Sequence, residues 1–201
     1  ALIDKILMAK FLEMFGDPAT NPKGWEVKRL GEVAETATGG TPLRKKEEYW
    51  KNGTIPWIKS GELRDNFIYD SEEKITQLGL ENSNAKLFSK GTLLIAMYGA
   101  TAGKLGMLKI NASTNQAICA IFPNKNHLKK WYLWYYFLKV RNILLNQRFG
   151  GAQPNLSQDF IRSIRLPLPP IELQKEFAQI VEEFEKKRRE MQRTLEILES
   201  L

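Results

Sequence analysis

One histidine, His127, occurs in the 201 residues, and that alone narrows the available chemistry. Metal clusters built on paired histidines are excluded. A Ser-His-Asp relay would rest on a residue at the start of a helical run, where a capping or surface role is expected. The segment Gly99-Ala-Thr-Ala-Gly103-Lys104-Leu105 has the look of a phosphate-binding loop. It carries three residues between its glycines where that loop needs four, and Leu105 stands in place of the magnesium-binding hydroxyl, so it reads as a Gly-rich turn between two strands. Leu168-Pro169-Pro170-Ile171 lacks the polar residue and the aromatic that flank Pro-Pro in an adenine methyltransferase. No glycine-rich strand-to-helix turn offers a nucleotide-cofactor site. Glu72-Glu73-Lys74, with Asp65 upstream, matches the residue types of a metal-dependent nuclease, but such triplets arise readily in a chain with 26% charged residues, and a solvated turn is expected. The sequence thus predicts no catalytic residue, no metal and no cofactor, and points to a binding protein.

What would be bound is suggested by charge. Thirty Lys and Arg oppose 23 Asp and Glu, for a formal charge of +7, a balance that favours polyanionic partners. Residues 121–170 carry eight basic groups (Lys125, Lys129, Lys130, Lys139, Arg141, Arg148, Arg162, Arg165) against Asp159 alone. A solvated face explains such a stretch in isolation; the aromatics interleaved here favour nucleic acid. The single cysteine, Cys119, excludes an internal disulfide and lies in the apolar run 117–122, where a buried thiol packs like Ala; a reducing cytoplasm fits. No apolar stretch nears the ~20 residues of a membrane span, and Asp4, Lys5 and Lys10 break any signal-peptide pattern. A soluble chain with no membrane association is expected.

The elements that position these residues follow from periodicity. Ile3, Ile6, Leu7, Phe11 and Met14 make a short amphipathic helix ended by Gly16-Asp17-Pro18, and residues 18–24, with two prolines and a glycine, read as a linker at a domain boundary. From Trp25 to about Pro123, short apolar runs such as Ile55–Ile58 and Thr92–Met97 alternate with Gly, Pro, Asn and Ser, as in strands of a half-open or barrel-like sheet. Trp25 and Trp57 sit in apolar contexts and are expected in the core. Residues 127–147 lack Pro and Gly and are dense in large apolar groups, which predicts a mostly buried helix ended by Gly150-Gly151. After Leu166-Pro167-Leu168-Pro169-Pro170 a helix restarts, with Phe177, Phe184, Met191 and Leu198 spaced by seven and Ile180 and Val181 beside them, a coiled-coil seam interrupted by Lys187 and Thr194. The alternative is an amphipathic helix lying on its own domain, which would serve the charged run 182–190 poorly. The prediction is an α+β protein: a helix at 1–17, a strand-rich mixed domain at 18–168, and a long helix at 169–201.

Several motifs resemble, in order, the target recognition domains of type I restriction-modification specificity subunits: Gly39-Gly40-Thr41-Pro42, Glu48-Tyr49-Trp50, Ile55–Leu63, Ala96–Thr101 and Thr114–Ala117. Phe15-Gly16-Asp17-Pro18 and Asn21–Trp25 are similar to the entry into such a domain. Residues 150–157, the Pro-rich 166–170 and Glu172-Leu173-Gln174 are similar to its junction with the spacer helix. A usual member has two recognition domains and two spacer helices, whereas this sequence has one of each. It reads either as a short form that dimerises through its helices or as half of a longer chain; Ala1 in place of Met leaves both open, and Leu201 ends mid-helix without a cap. The resemblance implies reading of double-stranded DNA in a prokaryotic cytoplasm, with methyltransferase (M) subunits supplying methylation and a restriction (R) subunit supplying cleavage.

On that reading, Lys59, Ser60, Arg64, Tyr98, Thr101 and Lys104 are the candidate base-reading residues, with Gln153 and Asn155 as further ones. The last two equally suit side-chain-to-backbone bonding in a Gly-rich turn. Arg44, Lys45, Lys46, Lys125, Lys129, Lys130 and Arg148 are the phosphate candidates, since a backbone contact asks for charge more than placement. The rival expectation is a coiled-coil adaptor, its basic face incidental.

Overall fold

The computed structural model describes residues 2–147 and 156–199. In chain order these form α1 (Leu2–Phe15), β1 (Glu26–Arg29), α2 (Leu30–Val33), β2 (Ala34–Thr38), β3 (Ile55–Ile58), β4 (Asn66–Ile68), β5 (Glu73–Ile75), α3 (Gln77–Glu81), β6 (Leu87–Phe88), β7 (Leu93–Ala96), β8 (Leu105–Leu108), β9 (Ala112–Thr114), β10 (Ile118–Pro123), α4 (Lys130–Asn146), α5 (Gln158–Ser163), β11 (Arg165–Leu168) and α6 (Ile171–Glu199). The class is α+β, as the sequence predicts. The strands, however, do not close into one barrel. They divide into a five-stranded sheet in the order β2-β10-β7-β8-β4, a four-stranded sheet β5-β3-β9-β6, and a ribbon β1-β11.

Three layers result, and the strand sequences show why. In β7 and just beyond it, Leu93, Ile95 and Met97 face the helices while Leu94 and Ala96 face the smaller sheet; in β10, Cys119 and Ile121 alternate with Ile118 and Ala120 in the same way. The five-stranded sheet is thus covered on both faces, which is why its central strands read as unbroken apolar runs instead of an alternation. On the helical side α4 is buried nearly all round: every residue from Trp131 to Phe137 is in the core. Phe11 and Phe15 of α1 and Phe177 of α6 close over it, with ring centroids 4.9–5.6 Å from Tyr132, Tyr135 or one another.

The linker after α1 folds back on the helix. Lys23 Nζ donates to the carbonyls of Glu13 and Met14 at 2.9 Å and the Trp25 indole donates to that of Phe15, which satisfies helix-end acceptors that would otherwise be left open. Residues 2–15 share the core cluster on the helical side of the five-stranded sheet, so the linker at 18–24 separates no independent core. The chain enters and leaves the sheets side by side, because β1 pairs antiparallel with β11 (Glu26 opposite Leu168).

The 29 residues of α6 span about 43 Å at 1.5 Å per residue. The expected seam is divided between two environments. Phe177 and Val181 are buried, and Ile180 and Phe184 partly so, against this chain's own α1 and α4. Gln174, also buried, bonds to the carbonyls of His127 and Pro169 and receives the Lys129 N–H, locking the helix start to the α4 entry. Arg188 pairs with Asp4 of α1 and lies 3.5 Å from Glu185. From residue 189 onward every described position is exposed, Met191 and Leu198 at 61% each. The four proximal seam residues therefore pack within the chain, and the distal pair lies beyond the domain. Lys187 at the seam is accommodated by stacking its ammonium over the Phe184 ring at 5.7 Å.

Candidate nucleic-acid interface

Strand register gathers the motif loops at one rim. β2 runs antiparallel to β10 with Thr38 opposite Cys119, and β7 antiparallel to β10 with Ala96 opposite Ile118. β3 lies parallel to β9, pairing Ile58 with Thr114, and β4 parallel to β8, pairing Asn66 with Gly106. Hence the segments that follow β2, β3, β7 and β9, and those that precede β4, β8 and β10, emerge at the same end. They are 39–42, 59–65, 97–104 and 115–117, the same motifs the sequence singles out. Two glycines permit the closeness: a Cβ on Gly39 would lie 2.1 Å from the Thr114 carbonyl oxygen, and one on Gly40 2.4 Å from the Asn84 carbonyl carbon.

Most of the predicted base readers at this rim are already engaged. The Thr101 hydroxyl donates to the Ser60 carbonyl (2.9 Å) and the Tyr98 hydroxyl to the Gln116 carbonyl (2.9 Å), tying three loops together. Lys59 Nζ lies 2.7 Å from Glu72 and 3.1 Å from Glu73, and Arg44 pairs with Glu73 while its guanidinium stacks 3.7 Å over the Trp50 ring. The Arg44 bond is the main cause holding the Glu73 carboxyl below its ordinary value, and the Glu72 and Glu73 bonds raise Lys59. The acidic pair therefore belongs to a charge cluster, not to a free solvated turn.

Lys104 is 2.9 Å from Asp65, whose carboxylate also receives two bonds from Arg141 and the Leu105 N–H. Burial would raise the Asp65 pKa, yet the bonds from Arg141, Lys104 and Leu105 outweigh it and the group titrates below its usual value. This triad fixes the Gly99–Gly103 turn, the β7–β8 connection, against α4, since Arg141 Nε also donates to the Gly103 carbonyl at 2.8 Å. Arg64 is exposed before β4, with its Nε 3.4 Å from the Gly61 carbonyl. Gln153, Asn155 and Arg148 lie outside the described residues; Leu156, just after them, docks on the rim through its N–H to the Met97 carbonyl at 2.7 Å.

The phosphate candidates separate. Arg44, Lys45 and Lys46 follow the Gly39–Pro42 segment on the rim side, with Lys46 bonded to the Tyr49 hydroxyl at 3.0 Å. Lys125, Lys129 and Lys130 lie past the far end of β10, at the opposite end of the sheet, one strand length or roughly 15–20 Å away. There Lys130, Lys90 and Arg189 together repel charge on Lys109, whose pKa is lowered first by burial and then by these neighbours. Sequence clustering joined residues that β10 holds at the end away from the motif loops.

The rim also holds a cleft of about 730 Å³ that the sequence reading did not mark, lined by Thr38, Thr41, Ser83, Asn84, Lys86 and Gln116 among others. Two of its walls come from quoted motifs, whereas the 82–86 segment is brought in only by tertiary packing on Gly40. Among the described residues, no three of His, Cys, Asp and Glu gather as a metal site, and no helix is long and apolar enough to cross a membrane.

Polar loops drawn from many strand ends onto a rigid two-sheet platform, with helices leading away, form a surface of the kind that carries function. The chain belongs to the type I restriction modification DNA specificity domain family, whose model matches residues 22–199. It is 32% identical over 185 residues to the type I restriction enzyme MjaIX specificity subunit of Methanocaldococcus jannaschii, covering 90% of this chain and 42% of that protein. Against the EcoR124I/EcoR124II specificity subunit of Escherichia coli the identity is 29% over 164 residues, covering 80% and 41%. The fold matches the HsdS subunit of Thermoanaerobacter tengcongensis (TM-score 0.62, 18% identity, 96% of this chain and 45% of that one). It also matches the type I S subunit of M. genitalium (TM-score 0.63, 16% identity, 98% and 51%). The chain spans about two fifths of the length of these curated relatives.

Proposed function

We propose that this chain reads one half of a two-part site in double-stranded DNA and carries no catalytic group of its own. The observation that carries the reading is the gathering of the family's motif loops at one rim. Base contacts come from that rim and phosphate contacts from Arg44, Lys45 and Lys46, while Lys125, Lys129 and Lys130 serve only DNA that passes the far end of the sheet. M subunits supply methylation and an R subunit cleavage, as the resemblance to type I specificity subunits implies. The exposed end of α6 meets another helix, from a second copy or from the other half of a longer polypeptide.

Selection from a randomised duplex library tests this, with the protein alone and with the M subunit of its own system, at two salt concentrations. A short enriched motif is expected, in two inverted copies at fixed spacing if the unit is a dimer. Affinity should fall steeply with salt, and losing one phosphate-contacting lysine should reduce the logarithmic salt slope by about 1. No enrichment in either form would refute the reading and favour an adaptor working through α6.

A further inference from the structure

The cleft between Thr41 and Lys86 offers what Lys59, Tyr98, Thr101 and Lys104 lack, which is uncommitted hydrogen-bonding groups. Lys59, Thr101, Lys104 and Tyr98 each spend a polar terminus on a partner within the chain. A base edge must displace such bonds, and breaking an internal pair to make an external one returns little specificity. In the cleft, by contrast, the exposed Asn84 amide and Lys86 ammonium have no partner among the described residues. Gln116 is half-committed. Its Oε1 accepts from the Thr41 hydroxyl at 2.6 Å and its backbone carbonyl from Tyr98, so the side chain is held with Nε2 free to donate. No carboxylate lines the cleft to repel the electronegative edge of a base.

The two walls are rigid for separate reasons. Gly40 N–H donates to the Thr114 carbonyl (2.9 Å) and its carbonyl accepts from the buried Trp57 indole (2.9 Å), which fixes the Thr41 side. Ser83 ties the opposite segment down, donating to the Gly79 carbonyl (2.7 Å) and accepting from the Ala85 N–H (3.1 Å). The backbones that carry Asn84 and Lys86 and face Gln116 are thus fixed, so only side-chain rotamers remain to be ordered when a base pair is met.

We propose that Asn84 and Lys86, with Gln116 opposite, are the specificity-determining residues. Asn84 pairs with adenine through its N6 and N7, Lys86 donates to guanine O6 and N7, and Lys59, Thr101 and Lys104 build the frame that holds them. The chemistry follows from the donors available: an amide presents an N–H donor beside a carbonyl acceptor, matching adenine's major-groove edge, and an ammonium offers donors alone, matching guanine. This rests on the DNA-reading proposal above.

The test repeats the library selection on the full chain with its M subunit, comparing wild type with Asn84→Ala, Asn84→Asp and Lys86→Ala. All three changes are at exposed positions, and thermal melting checks that the fold is kept. Asn84→Ala should lose preference for adenine at one position by roughly tenfold with the rest of the motif intact. Asn84→Asp, an acceptor only, should shift that position toward cytosine, and Lys86→Ala should relax one guanine. Identical motifs from wild type and variants, or a uniform weakening on all sequences, would overturn the assignment while leaving DNA reading in place. A wild type that enriches nothing would remove both.

Discussion

Replacing Asp65 by Asn should destabilise the domain and do so in a pH-dependent way. Asp65 receives two bonds from Arg141, one from Lys104 and one from the Leu105 N–H, with its side chain 21% exposed and that of Arg141 15%. Its backbone sits at φ +62°, a left-handed conformation that Asn adopts more readily than Ala, so the change isolates the charge. Breaking one side of a fully buried ion pair costs about 3–5 kcal/mol; the residual exposure here reduces that to about 2 kcal/mol. With a urea slope of about 2–3 kcal/mol/M, the midpoint at pH 7 should fall by close to 1 M. The folded-state pKa is depressed, so the carboxylate's contribution is complete above the unfolded value of about 3.9 and disappears as pH drops through the folded value. Urea titrations of both proteins from pH 7 down to pH 3 check this. The gap should narrow only below about pH 4; equal midpoints at pH 7, or a gap that stays constant into acid, would refute the triad as a charge-based clamp.

Three further outcomes are expected. Phe177→Ala, at the point where α6 meets Phe11, Phe15 and Tyr135, should cost about 3–5 kcal/mol in chemical denaturation. Cys119 is fully buried and its thiol is pushed up to about 12 by burial, partly offset by a bond with Thr36, so a disulfide reagent at pH 8 should label it only as fast as the domain opens. Met191→Glu combined with Leu198→Glu should leave the melting temperature of the isolated domain within the scatter of surface changes, while sedimentation shows loss of any self-association through α6.

Local pattern carried far in this chain because it agrees with tertiary structure in most elements. The Pro- and Gly-free run became α4, the turn-punctuated runs became short strands, and Gly99–Gly103, with its wrong spacing for phosphate, is the β7–β8 turn. What pattern missed are relations across the chain. A seven-residue repeat in α6 reads the same whether its apolar stripe meets a foreign helix or α1 and α4, and nothing in the spacing marks the change after Arg188. Glu72-Glu73 looks solvated until β3–β5 pairing sets Trp57 opposite Glu73, which brings Lys59 and Arg44 within reach. Lys125 and Lys130 closely follow the Thr114–Ala117 motif in sequence, yet a six-residue strand places them at the end of the sheet away from the motif loops. Asn84 carried no signal because its position depends on the absent Cβ of Gly40, 44 residues earlier in the chain. A glycine pair flanked by strands is the one local clue that another backbone must come close there.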